Sequence, residues 1–143
     1  MRLLVSLAIL VAGCTNARSA YLNATEAYDG DLRRMVLQLE HRQEEPKLDW
    51  ALIERLTNSD IDRLRAANKT FSQGPPGSEA MRKQALDLIV KLVPPIEFTH
   101  SLAPKTSAPA LTPAEKATLA PQIKEARAAL TVYDAERKKF IGE

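Results

Sequence analysis

The strongest constraint on the fold is a spacing of three and four residues between apolar side chains, which occurs in two separate stretches of the chain. Near the start, this spacing joins Tyr21, Thr25, Tyr28, Leu32, Met35, Leu39 and Arg42. It returns near the carboxyl end at Leu119, Ile123, Ala126, Leu130, Tyr133, Arg137 and Phe140. A period near 3.6 residues places each set on one face of an α-helix, which we call its seam. Because both helices carry a seam, we expect them to lie side by side in one bundle.

Helix-ending residues divide the middle of the chain. Pro46 should end the first helix, since the residue before a proline is pushed out of the α region. Residues 47–71 are predicted to be helical, as two short helices or as one with a kink at the polar run 57–60. After a Gly-Pro-rich turn, Ser78 is predicted to cap a third helix with a broad apolar face.

A proline-rich segment precedes the last helix. Pro94 and Pro95 are predicted to stop the third helix, because proline lacks the N–H donor and clashes inside a helix. Residues 94–111 contain four prolines and are predicted to form an extended connector. Thr112 and Glu115 are the residues of a capping box, which starts the last helix. The sequence therefore predicts an all-α fold, a small bundle of about four to five helices forming a single domain over residues 19–143.

The first thirteen residues have the composition of a secretory signal peptide. Arg2 supplies positive charge, and the apolar run Leu3–Val11 is interrupted only by Ser6. This run is too short to cross a hydrocarbon layer of about 30 Å as a helix. Small residues then follow at the position where a signal peptidase cuts.

Val11-Ala12-Gly13-Cys14 resembles the lipobox of bacterial lipoproteins. The resemblance implies that residues 1–13 are removed, that Val11, Ala12 and Gly13 are recognised by the signal peptidase, and that Cys14 carries a covalent lipid. Residues 14–18 would then be a short lipid tether. Thr15 after the cysteine implies the outer membrane, with the domain facing the periplasm. The alternative is a chance cysteine behind an ordinary signal peptide.

Composition and motifs predict no catalytic, metal or nucleic-acid site. Twenty basic and 18 acidic residues nearly balance, so nucleic acid is not generally attracted. Cys14 is the only cysteine, which leaves the mature chain without a disulfide or thiol nucleophile. Glu97 with His100, and His41 with Glu45, have metal-ligand spacing, but each pair supplies too few ligands for a site. We expect no cofactor other than the lipid on Cys14, and no enzymatic activity.

Four aromatic residues are candidate interface positions. Tyr21, Tyr28 and Tyr133 lie on the two seams, and Trp50 is the only tryptophan. Such side chains serve at interfaces or pack in a core, and the sequence leaves both possibilities open. The basic run 137–139 permits contact with anionic headgroups, but it also complements the dipole at the end of a helix, which is the interpretation favoured here.

These features predict a membrane-anchored envelope lipoprotein that acts as a non-catalytic adaptor or accessory protein for an envelope partner at the outer membrane. Its layout is similar to that of small helical lipoproteins such as the pilotins of secretion systems. One alternative is a structural lipoprotein that self-associates through its seams, although Arg42 and Arg137 on the seams disfavour a long dry coil. Another is a plasmid- or phage-encoded envelope lipoprotein of the exclusion or lysis type.

Overall fold

The computed structural model describes residues 2–103 and 108–143, with side chains from Asn16 onward. Over these residues the chain forms four helices: α1 (Arg2–Glu44), α2 (Trp50–Phe71), α3 (Glu79–Leu102) and α4 (Pro113–Ile141). This described part of the chain contains no strand. The predicted all-α bundle is confirmed, with the number of helices at the lower end of the expected range.

Two of the predicted helix boundaries lie where the sequence places them. Helix α1 ends two residues before Pro46. At the start of α4, the Thr112 hydroxyl accepts a hydrogen bond from the Glu115 N–H at 3.2 Å, and the Glu115 carboxylate accepts one from the Thr112 N–H at 2.8 Å. This reciprocal pair satisfies backbone donors that have no partner within the helix. The predicted capping box is therefore confirmed.

Ser78 plays a different role from the predicted one. It directly precedes α3, but its side chain makes no capping bond to the helix. Its hydroxyl instead donates to the Pro75 carbonyl at 2.6 Å and accepts from Arg82 Nε at 3.0 Å. Ser78 thus closes the turn that leads into α3.

The prediction that α3 stops at Pro94 and Pro95 is wrong, because the helix continues to Leu102. A proline inside a helix typically costs about 3 kcal/mol or more, through a missing hydrogen bond and a clash with the preceding turn. Tertiary packing offsets this cost here, since Pro95 is buried together with Ile96 and Thr99. The connector is consequently shorter than predicted and begins after Leu102 rather than at residue 94.

Helix α2 runs unbroken through the polar segment 57–60, where the sequence predicted two helices or a kink. Asn58 and Ser59, the predicted caps of a new helix, lie inside α2 and are exposed, while Thr57 and Asp60 are buried. The Thr57 hydroxyl donates to the Ile53 carbonyl within the same helix, and Asp60 accepts a hydrogen bond from Arg34 of α1. The polar side chains therefore face neighbouring helices, and the segment stays helical.

Contacts between helices show an up-down-up-down arrangement. Tyr21 packs against Phe140, whereas Glu40 binds Arg127, so α1 and α4 are antiparallel. Helix α1 is also antiparallel to α2, because the α1 residues Asp31 and Arg34 bind Arg63 and Asp60 in the reverse order. Helices follow each other around the bundle in chain order, and α1 also contacts α3 across it.

The two ends of the bundle are named here by their position relative to Cys14. The proximal end comprises residues 18–25, 64–86 and 134–143. The distal end comprises residues 38–57, 95–103 and 108–120. Helix α1 passes from the predicted signal peptide into the bundle at the proximal end.

One continuous apolar core lies between the helices, and all four contribute to it. Its fully enclosed side chains include Leu32, Met35, Val36, Leu39, Phe71, Met81, Leu88, Leu92, Ile96, Leu119 and Tyr133. Helix α3 packs against each of the other three helices, as its broad apolar face predicts.

Replacing Leu88 by alanine should destabilise the bundle by about 3 kcal/mol, because the residue is fully buried and its removal leaves a cavity. Val90, on the same helix, is 66% exposed. Replacing Val90 by alanine should therefore change the stability by no more than about 0.5 kcal/mol. Urea unfolding followed by circular dichroism measures both. Equal losses of stability in the two variants would contradict the assigned packing of α3.

Candidate interaction surfaces

Cys14 and the lipobox residues before it lie within α1, and their side chains are outside the described ones. The first described contacts between α1 and the bundle come one helical turn later. The Arg18 guanidinium lies 4.9 Å from the centre of the Phe140 ring, and Tyr21 packs edge-on against the same ring. Residues 14–18 are helical. The rise from Cys14 to Arg18 is therefore about 6 Å, at the helical rise per residue. A fully extended tether of the same length would reach about 14 Å.

Tyr21 and Tyr28, two of the four candidate interface residues, come together in one groove between α1 and the end of α2. The groove has a volume of about 620 Å³. It is completed by Ala66, Lys69, Thr70, Gln73 and Gly74. Both tyrosines are partly buried, and the Tyr21 hydroxyl is enclosed without a hydrogen bond to the described residues. Their predicted role at an interface stays a prediction, now with a defined location.

Tyr133, the third candidate, is enclosed in the core, so of the two possibilities left open by the sequence it takes the packing one. Its side chain has no exposed area, and its ring packs edge-on against Phe71 with centroids 6.0 Å apart. Its hydroxyl is buried near Asp29 without a hydrogen bond of ordinary geometry in the described part of the chain. Burial, with the negative charge of Asp29, raises the pKa of Tyr133 well above its usual value.

Trp50 connects the start of α2 to the connector that precedes α4. Its indole Nε1 donates a hydrogen bond to the Ala108 carbonyl at 2.7 Å. Beside it, the Leu48 N–H donates to the Pro109 carbonyl at 2.6 Å. The ring is half-buried against the core. Of the two possibilities left open by the sequence, the anchoring role within the chain is the one for which the structure supplies contacts.

An ionic network joins α1 to α4 in the proximal half of the bundle. Arg33 donates to both carboxylate oxygens of Asp29, at 3.0 and 3.2 Å, and to Asp134 at 2.8 Å. On its other side, Asp29 lies 3.4 Å from Arg137 Nε. The hydrogen bonds and charge of Asp29, followed by those of Asp134, raise the pKa of Arg33. This pairing also explains why Arg137 can occupy a seam position.

A second network joins α1 to α2. Arg34 donates to Asp60 at 3.0 Å and lies 3.3 Å from Asp31, which also accepts from Arg63 at 2.7 Å. The Asp60 side chain is only 3% exposed. A carboxylate so deeply buried depends on Arg34 for compensation of its charge. The sequence reasoning identified neither network, although the Asp and Arg residues at positions 29, 31, 33 and 34 were a visible signal.

Arg42, the other charged seam residue, is buried at the distal end. Its guanidinium donates to the Thr99 hydroxyl of α3 at 3.3 Å. Within the described part of the chain, no carboxylate lies within ion-pair distance of it. Burial therefore lowers the pKa of Arg42, and the more distant charge of Asp60 only partly opposes this effect.

The two histidines lie in separate environments. His41 is largely exposed and its Nε2 lies 2.8 Å from the carboxylate of Glu45. His100 is half-buried near the end of α3, while Glu97 is exposed one turn earlier. Among the described side chains, no three residues of the types His, Cys, Asp and Glu come together in a group that would hold a metal ion.

A groove between α2 and α3 is a surface that the sequence reasoning missed. It has a volume of about 380 Å³ and is lined by Ile61, Leu64, Arg65, Asn68, Ile89, Val93 and Glu97. Its floor is apolar, whereas Arg65 and Glu97 bring opposite charges to its rim. Val90, which is 66% exposed, is next to Ile89 on α3. The available signal was the spacing of Ile61 and Leu64, which places both apolar side chains on one face of α2.

Within the described residues, none of the helices has an apolar stretch of the length and hydrophobicity that a membrane span requires. The chain matches no protein-family model, no curated protein and no solved structure.

Replacing Asp29 by asparagine should destabilise the bundle by about 2 kcal/mol, because two arginines lose a largely buried counter-charge. These are Arg33 and Arg137, which both lie within ion-pair distance of Asp29. Asp62 is 75% exposed and pairs only with Arg65 of its own helix. The matched change of Asp62 to asparagine should therefore cost no more than about 0.5 kcal/mol. Chemical denaturation at neutral pH compares the two, and similar losses would mean that the α1–α4 network is not stabilising.

Tyr133 should make stability fall at alkaline pH. Its folded-state pKa is raised, so the folded chain keeps the phenol protonated while the unfolded chain ionises it near pH 10. Its contribution is fully present below about pH 10 and is lost as the pH rises further. Replacing Tyr133 by phenylalanine should flatten this part of the stability–pH curve. An unchanged alkaline slope in that variant would contradict the buried, protonated phenol.

Proposed function

We propose that this chain is a lipid-anchored bacterial envelope lipoprotein, held at the outer membrane, that acts as a non-catalytic adaptor for a protein partner. The observation that carries the proposal is the continuity of α1. One unbroken helix contains the lipobox sequence Val11–Cys14 and, one turn later, the residues that pack into the bundle. A lipid on Cys14 would therefore hold the whole bundle through a rigid element.

The short distance between anchor and bundle supports a role close to the membrane. Helical residues 14–18 place the first bundle contact about 6 Å from Cys14 along the helix axis. Several acyl chains, each gaining about 0.8 kcal/mol per buried CH₂, would hold such an anchor firmly. The adaptor would then present its sides and its distal end to the periplasm.

The groove between α2 and α3 is the proposed partner-binding surface. Its apolar floor and charged rim have the composition of a groove that accepts one face of an amphipathic helix. Val90, which is exposed and directly follows the groove residue Ile89 on α3, would offer the partner an apolar contact beside the groove. This role requires no cofactor other than the lipid on Cys14.

The self-associating alternative is less well supported by the packing. The apolar seam residues of α1 and α4 are buried within one chain, including Leu32, Leu39, Leu119 and Leu130. The arginines on the seams also find partners within the chain, in Asp29 and Thr99. A structural role through paired chains would need a surface other than the seams.

Site-specific photo-crosslinking in living cells tests the proposal. A photoreactive residue at position 90 should crosslink one envelope protein, whereas the same residue at position 132 should not. Val132 is the matched control because it is 46% exposed, but it lies on α4 away from the groove. Replacing Cys14 by serine should prevent lipidation and remove both the crosslink and the membrane association.

Three results would contradict the proposal. A chain whose Cys14 carries no lipid by mass spectrometry would exclude the anchor. Equal crosslinking from positions 90 and 132 would exclude the groove as the specific surface. Crosslinks between copies of this chain alone would favour the structural alternative.

A further inference from the structure

We propose that the proximal end of the bundle binds the anionic headgroups of the membrane surface, so that the bundle stands upright with its distal end away from the bilayer. This inference rests on the proposed lipid anchor at Cys14. It adds a second, electrostatic attachment and a defined orientation.

The proximal end is rich in positive charge. Its described basic side chains are Arg18, Arg65, Lys69, Arg82, Lys83, Arg137, Lys138 and Lys139, of which Arg137 is already paired with Asp29. Its described acidic side chains are Glu79, Asp134, Glu136 and Glu143. Every helix contributes at least one of the basic groups, so the charge surrounds the end of the bundle instead of lying on one side. Lys69, Lys83 and Lys138 are exposed on three different helices.

The distal end carries the opposite balance. Its described acidic side chains are Glu40, Glu44, Glu45, Asp49, Glu54, Glu97 and Glu115. Its described basic side chains are Arg42, Lys47, Arg55 and Lys116, and the first of these is buried. An anionic surface would therefore attract one end of the bundle and repel the other.

Helix dipoles do not account for this distribution. Cations in the last turn of a helix, such as Lys69 and Lys138, are stabilised by the dipole. Arg82 and Lys83 lie near the start of α3, where the dipole does not favour cations. Arg82 is held there by hydrogen bonds that it donates to the Ser78 hydroxyl and the Ser72 carbonyl. Lys83 is exposed, and an external partner with negative charge would account for its position among the other basic groups.

The aromatic groove at the same end points to a membrane surface as that partner. Lys69 lines the groove together with Tyr21, whose hydroxyl is enclosed, and with Tyr28, which lies just beyond the proximal end. Tyrosine is amphipathic and is enriched at the level of the lipid headgroups, where lysine also finds its counter-charge. Helix α1 leaves the bundle at this same end, so a lipid on Cys14 would bring these residues to the headgroups.

The bundle is longer than the distance over which a charged surface attracts or repels a protein. From Arg18 to Gln43, α1 rises about 37 Å, which is several times the screening length of about 8 Å at physiological salt. Each lysine close to an anionic surface favours binding by about fivefold, and the effect is lost beyond the screening length. Only an upright bundle keeps the basic end near the surface and the acidic end outside its field.

Fluorescence quenching on vesicles tests this orientation with the full lipidated chain. Lipidation occupies the Cys14 thiol, so a fluorophore can be attached to a cysteine introduced at Gln73 in the proximal end or at Ser101 in the distal end. The vesicles carry a quencher on their headgroups and contain phosphatidylcholine with or without phosphatidylglycerol. Quenching at position 73 should exceed that at position 101, increase with phosphatidylglycerol and decrease at high salt.

A charge-reversal variant provides the decisive comparison. Changing Lys69, Lys83 and Lys138 to glutamate should lower the ratio of docked to undocked bundle by at least about a hundredfold, because the loss of the three lysines alone accounts for that factor and the glutamates add repulsion. The matched control changes Lys47, Arg55 and Lys124 to glutamate, which alters the net charge equally at exposed positions outside the proximal end. The control should keep the quenching at position 73. Circular dichroism verifies that both variants remain helical.

The outcomes separate this inference from the anchor on which it rests. Equal quenching at positions 73 and 101, or equal effects of the two charge reversals, would overturn the orientation and leave the lipid anchor intact. A chain without lipid on Cys14 in mass spectrometry would overturn the anchor, and the inference with it.

Discussion

The fold depends on the ion pairs that fix α1 in the bundle, and two arginines near the centre of α1 form these pairs with two different neighbouring helices. Arg33 and Arg34 are consecutive, so their side chains project about 100° apart around the helix. Arg33 binds Asp29 and Asp134 on the side of α4, while Arg34 binds Asp60 on the side of α2. Because α1 also contains the predicted lipidation site, these ion pairs determine where the bundle sits relative to its proposed anchor.

The ion pairs also explain why α1 has one register in the bundle. A seam with apolar residues every three or four positions tolerates a shift by one turn, since another apolar side chain takes the vacated place. Charges do not tolerate that shift. The side chains of Asp60 and Asp29 are only 3% and 13% exposed. Leaving either carboxylate without its arginine would cost about 3–5 kcal/mol. The charged residues therefore specify the register, and the apolar ones supply most of the burial.

The two proposed binding functions lie on different surfaces of the described bundle. The proximal end, with its basic groups and tyrosines, is proposed to bind the membrane surface. The groove between α2 and α3 is proposed to bind a protein partner, and it lies on the side of the bundle. This separation lets a partner approach an adaptor whose orientation is already set by its anchor. Both tasks use residues outside the core, so variants at Lys83 or Val90 can test them without disturbing the fold.

The pattern of amino acids is enough to predict the helical class, the helix end at Pro46 and the capping box at Thr112, because each of these depends on local backbone chemistry. Residues Val11–Cys14 also resemble a lipobox, and the lipid anchor stays a prediction. Packing between helices is what establishes that α3 continues through Pro94 and Pro95 and that Tyr133 is enclosed. Local propensity disfavours a helix at paired prolines by a few kcal/mol, and only burial against distant helices can offset that cost. The grooves and ion pairs likewise join residues far apart in the chain, such as Arg33 and Asp134, so they arise only when the helices pack.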